Sequence, residues 1–169
     1  GGLDSTLAAR VLLEHEIQVT ALHFRTGFSY VERDQVAGRG LSGPPDAERA
    51  AAQLGIRLEV IDVSDDYLPI VLHPRFGYGS GMNPCVDCRI YMFQRAERLM
   101  EQTGAQFVVS GEVVGQRPMS QKRRDLENIA RFSGLSDLLL RPLSAKLLPP
   151  TLPERSGWQI SARSLTSVS

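Results

Sequence analysis

An α/β fold, with a parallel sheet carrying helices on both faces, is predicted by three features of the sequence. Apolar runs of strand length alternate with amphipathic stretches of helical length along most of the 169 residues, and parallel strands need crossovers long enough to hold such helices. The composition, 42% hydrophobic and 22% charged, is that of an ordinary globular domain and excludes a disordered or collagen-like chain. Segments 23–26 and 110–116, like the glycine turn at 1–5, fall where strands give way to loops or helices, the place where such sheets bind ligands.

Taken in order, Leu7, Ala8, Val11 and Leu12 repeat at helical spacing over 6–15, with Ser5 placed to cap that helix. Residues 19–24 read as a buried strand, and 25–43, with four glycines, as a long loop. An alanine-rich helix over 47–54 is stopped by Gly55, and Leu58, Val60 and Ile61 mark a strand over 56–63. The longest helix is predicted over 85–103, where Ile90, Phe93, Leu99 and Met100 share a side and Gly104 lies beyond the end. A strand at 107–110, a helix over 121–132 and a short strand at 138–140, closed by Pro142, complete the alternation. The serine-rich stretch 161–169 shows little periodicity and reads as a frayed tail. One domain over 1–157, followed by an uncertain tail over 158–169, is the organisation expected.

No stretch approaches the ~18 uninterrupted apolar residues of a membrane helix, and no apolar signal-peptide core opens the chain. The expectation is a cytoplasmic protein without membrane contact. The formal charge is zero, but residues 1–70 hold six basic against eleven acidic side chains and 71–169 hold thirteen against eight. A polyanion would therefore meet the second half. Lys122, Arg123 and Arg124 favour a solvated helix face over a phosphate contact, and Arg141 and Lys146 invite the same reading.

Gly1-Gly2-Leu3-Asp4-Ser5-Thr6 puts two glycines and two hydroxyls at a helix start, where free N–H groups and the positive end of the macrodipole attract a phosphate. No Gly-Lys-Ser/Thr follows, which excludes a P-loop of the Walker kind. Cys85 and Cys88 are the two cysteines of the chain, spaced C-x-x-C behind Asn83 and Pro84, which favour a helix start. Helix N-termini stabilise thiolates, so the pair is expected to be reactive. Three chemistries stay open for it: a sulfur carrier or nucleophile, two ligands of an iron–sulfur cluster, or half of a zinc site. For zinc, His15, His23 and His73 offer no paired spacing. His23 reads as a packed strand-end residue, and Trp158 as core or docking surface.

Residues 1–5 resemble the end of the Ser-Gly-Gly-x-Asp-Ser loop of the N-type ATP pyrophosphatases (PP-loop family). Residues 81–93, around the cysteines, 110–121, which include Ser110-Gly111-Glu112 and Gln116, and 140–151 resemble the tRNA-thiolating branch, similar to 2-thiouridine and 4-thiouridine synthases. The four segments stand in the family's order. The resemblance implies an adenine nucleotide alpha hydrolase-like (Rossmann-like) fold, here lacking its first strand, because the strand and first Ser of the motif would precede Gly1.

It also implies an ATP-dependent tRNA sulfurtransferase that adenylates a uridine carbonyl oxygen and replaces it with sulfur. Gly1, Gly2, Asp4, Ser5 and Thr6 would hold ATP phosphates, with His23, Phe24, Gly111 and Gln116 also near the nucleotide. Asp4 would orient Mg²⁺ and share a catalytic role with Cys85 and Cys88, which would carry a persulfide or ligate a [4Fe-4S] cluster. The partners implied are tRNA and a sulfur donor protein or sulfide, and a homodimer is the oligomer allowed for. Rival readings are an adenylating ligase with another acceptor and a degenerate nucleotide-binding module.

Overall fold

A computed structural model describes residues 2–27, 46–78, 84–117 and 120–157, and the backbone of 163–167. Helix α1 (Leu3–Glu14) leads to β1 (Gln18–Arg25). Helix α2 (Asp46–Leu54) and strand β2 (Arg57–Asp62) follow. Helix α3 (Ser64–Leu72), α4 (Cys85–Thr103) and β3 (Phe107–Ser110) come next. Helix α5 (Arg123–Phe132), β4 (Leu139–Leu140), a 3-10 turn (Pro142–Ser144), the short α6 (Leu152–Arg155) and β5 (Arg163–Ser167) close the chain.

The predicted alternation is present, with boundaries shifted by a few residues. α1 starts at Leu3 with Gly2 at its N-cap, so Ser5 lies inside the first turn and is not the cap. The stops are as expected: Gly55 and Gly104 sit at φ +67° and +69°, where a residue without Cβ ends a helix at little cost. Two helices escaped the sequence reading. α3 has Pro69 inside it and no buried residue, so it shows no clean apolar stripe. It is started instead by Asp62, whose Oδ1 accepts from the Ser64 hydroxyl (2.7 Å) and amide (3.0 Å). α6 is one turn long and rests on a capping box between Thr151 and Glu154.

The five strands are all parallel, in the order β2-β1-β5-β3-β4. The expectation of a sheet lacking its first strand is corrected here, because β5 fills the centre. The stretch 158–169, expected as a frayed tail, contains that strand. A run of five residues with serines at two positions carries no strand periodicity of its own; pairing with a neighbour on each side holds it extended.

Successive strand residues face opposite sides, and two cores result. On one side Leu22, Phe24, Val108 and Leu139 pack with Ile90, Phe93, Ala96 and Met100 of α4 and Ile129 and Ala130 of α5. On the other, Val19, Phe107, Val109 and Leu140 pack with Ala8, Ala9 and Leu12 of α1. Small residues on α1 let it lie close to the sheet, which brings its N-terminus to the carboxyl end of β3. No helix among the described residues is long and apolar enough to cross a membrane.

Phe93 is fully buried at the centre of the first core. Phe93→Ala is expected to cost about 3–5 kcal/mol, the transfer loss plus the cavity left behind, read as a lower urea midpoint at unchanged slope.

Candidate functional site

The first turn of α1 is where the chain concentrates free backbone donors. Gly2 carries no side chain to cap the helix, and no side-chain cap bond is present, so the leading N–H groups have no partner within the helix. Thr6 is turned inward to its own helix: its Oγ1 donates to the Gly2 carbonyl at 3.1 Å. The hydroxyl expected at the ligand is therefore already used. Ser5 is buried. Gly1 lies outside the described residues.

Strand β3 delivers the facing wall. Its successor Gly111 packs so tightly on α1 that an added Cβ would stand 2.5 Å from both the Asp4 carbonyl carbon and the Ser5 amide nitrogen. Glycine is required there by the close approach of two backbones. The next residue, Glu112, is buried, with its Oε2 accepting from Arg141 Nε at 2.8 Å and from the Ser110 hydroxyl at 3.0 Å. Arg141 is itself buried and also donates to the Leu126 carbonyl. It is an internal counter-ion, which settles its role against a surface contact. Ser144 ties the same turn, donating to the Glu112 carbonyl and accepting from the Val114 amide, both at 3.0 Å.

Between these walls lies a small polar cleft of about 40 Å³, lined by Gly2, Asp4, Ser5, Ser110, Gly111 and Glu112 together with Arg89, Arg117 and Gln121. That volume holds a few waters or one phosphate-sized group. Its walls combine donors, the α1 amides and two guanidinium groups, with acceptors. Among the acceptors, Oε1 of Glu112 and Oε1 of Gln121 are buried without a hydrogen-bond partner among the described residues. Leaving such atoms unpaired costs about 1–3 kcal/mol each, so the cleft suits a ligand bringing both negative charge and donors. A phosphate chain with a hydrated Mg²⁺ beside Asp4 has that character.

Sequence reasoning overlooked Arg89, Arg117 and Gln121. The signal available was position: Arg89 directly follows Cys88, and Gln121 ends the segment 110–121. Gln116 is exposed and does not line the cleft. Neither His23 nor Phe24 lines it. Phe24 belongs to the first core, because its place on β1 turns it to α4. Lys122, Arg123 and Arg124 are exposed at the start of α5, as a solvated face. Asn83 and Trp158 lie outside the described residues.

Cys85 is the first residue of α4, with Pro84 at the N-cap, and both cysteines are half-buried. The residue between them anchors a neighbouring loop, since the Asp87 carboxylate accepts from the amides of Arg75 (3.0 Å) and Phe76 (2.9 Å). Tyr67 of α3 donates its hydroxyl to Cys88 Sγ at 3.0 Å. Reactivity was expected of both thiols. For Cys88 that expectation is corrected, as burial pushes its thiol above the usual range despite the Tyr67 hydroxyl and the nearby Arg89 charge, which pull the other way.

An iron–sulfur cluster does not fit this donor set. Such clusters are held by about four thiolates. The chain has two cysteines, and no group of three His, Cys, Asp or Glu side chains gathers among the described residues.

The Tyr67 contact is testable. In a Cys85→Ser background, Tyr67→Phe removes the hydrogen bond that favours the Cys88 thiolate. Iodoacetamide labelling of Cys88 at pH 8 should slow several-fold, and the pH at which labelling reaches half its maximal rate should rise. An unchanged profile would mean that the hydroxyl does not touch the sulfur.

The sequence profile of the family described as tRNA methyl transferase HUP domain matches residues 1–132. The chain is 35% identical over 115 residues to a tRNA-specific 2-thiouridylase MnmA of Syntrophotalea carbinolica, covering 66% of this chain and 32% of that protein. It is 27% identical over 144 residues to a probable tRNA sulfurtransferase of Thermococcus kodakarensis, covering 85% of this chain and 35% of that protein. A MnmA of Cutibacterium acnes is 38% identical over 95 residues, 52% of this chain and 25% of that protein. The chain thus spans about a third of the length of the curated relatives it matches. The family profile covers most of the chain, including the α1 turn, the cysteine helix and the β3 end that together form the cleft, and the chain belongs to the tRNA methyl transferase HUP domain family.

Proposed function

We propose that this domain binds Mg-ATP at the α1 cleft, activates a uridine carbonyl of tRNA by adenylation, and passes sulfur to the activated carbon through its cysteine pair. One observation carries this reading. Arg89, which lines the anion cleft, is the residue after Cys88 on α4, so a single rigid helix joins the phosphate site to the sulfur site. The relatives' names, 2-thiouridylase and tRNA sulfurtransferase, agree with it.

A carbonyl oxygen is a poor leaving group. Attack of that oxygen on the α-phosphorus, with loss of pyrophosphate, turns it into a phosphate ester that leaves as AMP when sulfur adds to the carbon. In this step the α1 amides and Arg89 neutralise charge growing on the departing pyrophosphate. Asp4 would hold Mg²⁺, which supplies further charge stabilisation when bound. The buried Glu112–Arg141 pair keeps Gly111 against α1, and so keeps those amides aimed at one point. Because the donor set does not suit a cluster, the pair is assigned persulfide chemistry, with a sulfur donor protein or sulfide as the source. A homodimer and the domain span 1–157 belong to the same proposal.

Two outcomes test it. Asp4→Ala is expected to lower ATP-dependent pyrophosphate release by about 100-fold or more, in line with removal of one electrostatic group from such a site, while the melting temperature stays near that of the parent. Unchanged release would remove the nucleotide assignment. Cys85→Ser and Cys88→Ser should keep pyrophosphate release but lower thiouridine formation in tRNA by orders of magnitude, since serine carries no persulfide. Full thiolation by both variants would make the cysteines structural.

A further inference from the structure

The central strand of the sheet comes from the opposite end of the sequence to the helix it serves. β5 pairs in parallel with β1 on one side and β3 on the other, with Leu22 and Ser110 both in register with Ser167. Ser110 precedes Gly111, whose backbone abuts Asp4 and Ser5. The carboxyl end of β5 is therefore aligned with the strand end that holds the first turn of α1. In a parallel sheet, a central strand that ends beside a helix N-terminus is half of a strand–loop–helix unit, and here α1 is the other half.

The sequence points the same way independently. After Ser167 come Val168 and Ser169; before Leu3 stand Gly1 and Gly2. Read across, Ser169-Gly1-Gly2-Leu3-Asp4-Ser5 is a full hydroxyl–glycine–glycine–x–acid–hydroxyl loop, whose first serine is otherwise lacking. Gly1, Val168 and Ser169 lie outside the described residues, and the inference for them rests on the two described positions that flank them.

We infer that the phosphate-binding loop is assembled from both ends of this sequence, β5 supplying its strand and Ser169 its first hydroxyl, in a circularly permuted order. This rests on the nucleotide reading above and goes beyond it by naming a further binding residue and the strand that presents it.

The test is a permutant in which residues 158–169 are moved ahead of Gly1 through a direct Ser169–Gly1 bond, compared with the parent and with Ser169→Ala and Asp4→Ala by calorimetric titration with Mg-ATP and by thermal melting. The permutant should melt at or above the parent temperature and bind Mg-ATP at least as tightly. Ser169→Ala should melt with the parent and bind roughly tenfold more weakly, as loss of one hydrogen bond to a charged group implies. A permutant that unfolds or melts well below the parent, or a Ser169→Ala variant that binds as tightly as the parent, overturns the inference. Should Asp4→Ala also bind as tightly as the parent, the nucleotide reading itself falls; if Asp4→Ala alone loses binding, that reading stands and the permuted loop does not.

Discussion

The two halves of the sheet meet through one strand. β1 and β3 do not pair with each other; each pairs with β5, and β2 and β4 extend the sheet outward from them. Adjacent strands lie about 4.8 Å apart, so the centre of the sheet is a slot one strand wide whose walls expose two rows of unpaired amides and carbonyls. Both cores lie on either side of this slot, and buried backbone groups without partners are costly. The position of α1, which packs on Val109 and Leu140 from one half and Val19 from the other, follows from the slot being filled.

With the sheet closed, a short chain of contacts shapes the cleft. Gly111 meets the backbone of Asp4 and Ser5, and Glu112 is locked by Arg141, Ser110 and Ser144. A buried ion pair is no bargain in stability, because desolvation offsets much of its attraction. Its value here is positional. It holds the end of β3 in one place while leaving Oε1 of Glu112, beside Gln121, unpaired at the cleft. Arg89 approaches that same carboxylate, at 3.8 Å from Oε1, and so couples the start of α4 to the phosphate wall.

The cysteine pair is divided by its surroundings. Cys88 is covered by Tyr67 and Met92, and burial disfavours its thiolate. Cys85 opens the helix, one turn earlier. Asp87 between them is committed to the loop amides of Arg75 and Phe76, and Arg75 stacks over Phe132 at 4.6 Å. Residues 75–76 are thereby clasped to both α4 and α5, which fixes the helix bearing the sulfurs to the rest of the core.

The alternation of helices and strands, the glycine stops at 55 and 104, the anion-favouring turn at 2–5 and the cysteine pair were legible in the sequence, because each depends on local backbone preference or on spacing along one element. The elements that were missed depend on partners. α3 is held by Asp62 and by contacts to Cys88 and the core, not by an apolar stripe. Gln121 and Arg89 carry no motif of their own and are joined to Asp4 only by the packing of α1 against the end of β3. Arg141 reads as a surface cation until burial beside Glu112 makes it a counter-ion. The serine-rich β5 has no periodic signal, and its strand conformation is decided by the hydrogen-bonding edges of β1 and β3, which lie far from it in sequence and on both sides of it in space. Local chemistry determined which pieces the chain holds. Tertiary structure decided which pieces share a site, since backbone edges and buried charges find their partners only in three dimensions.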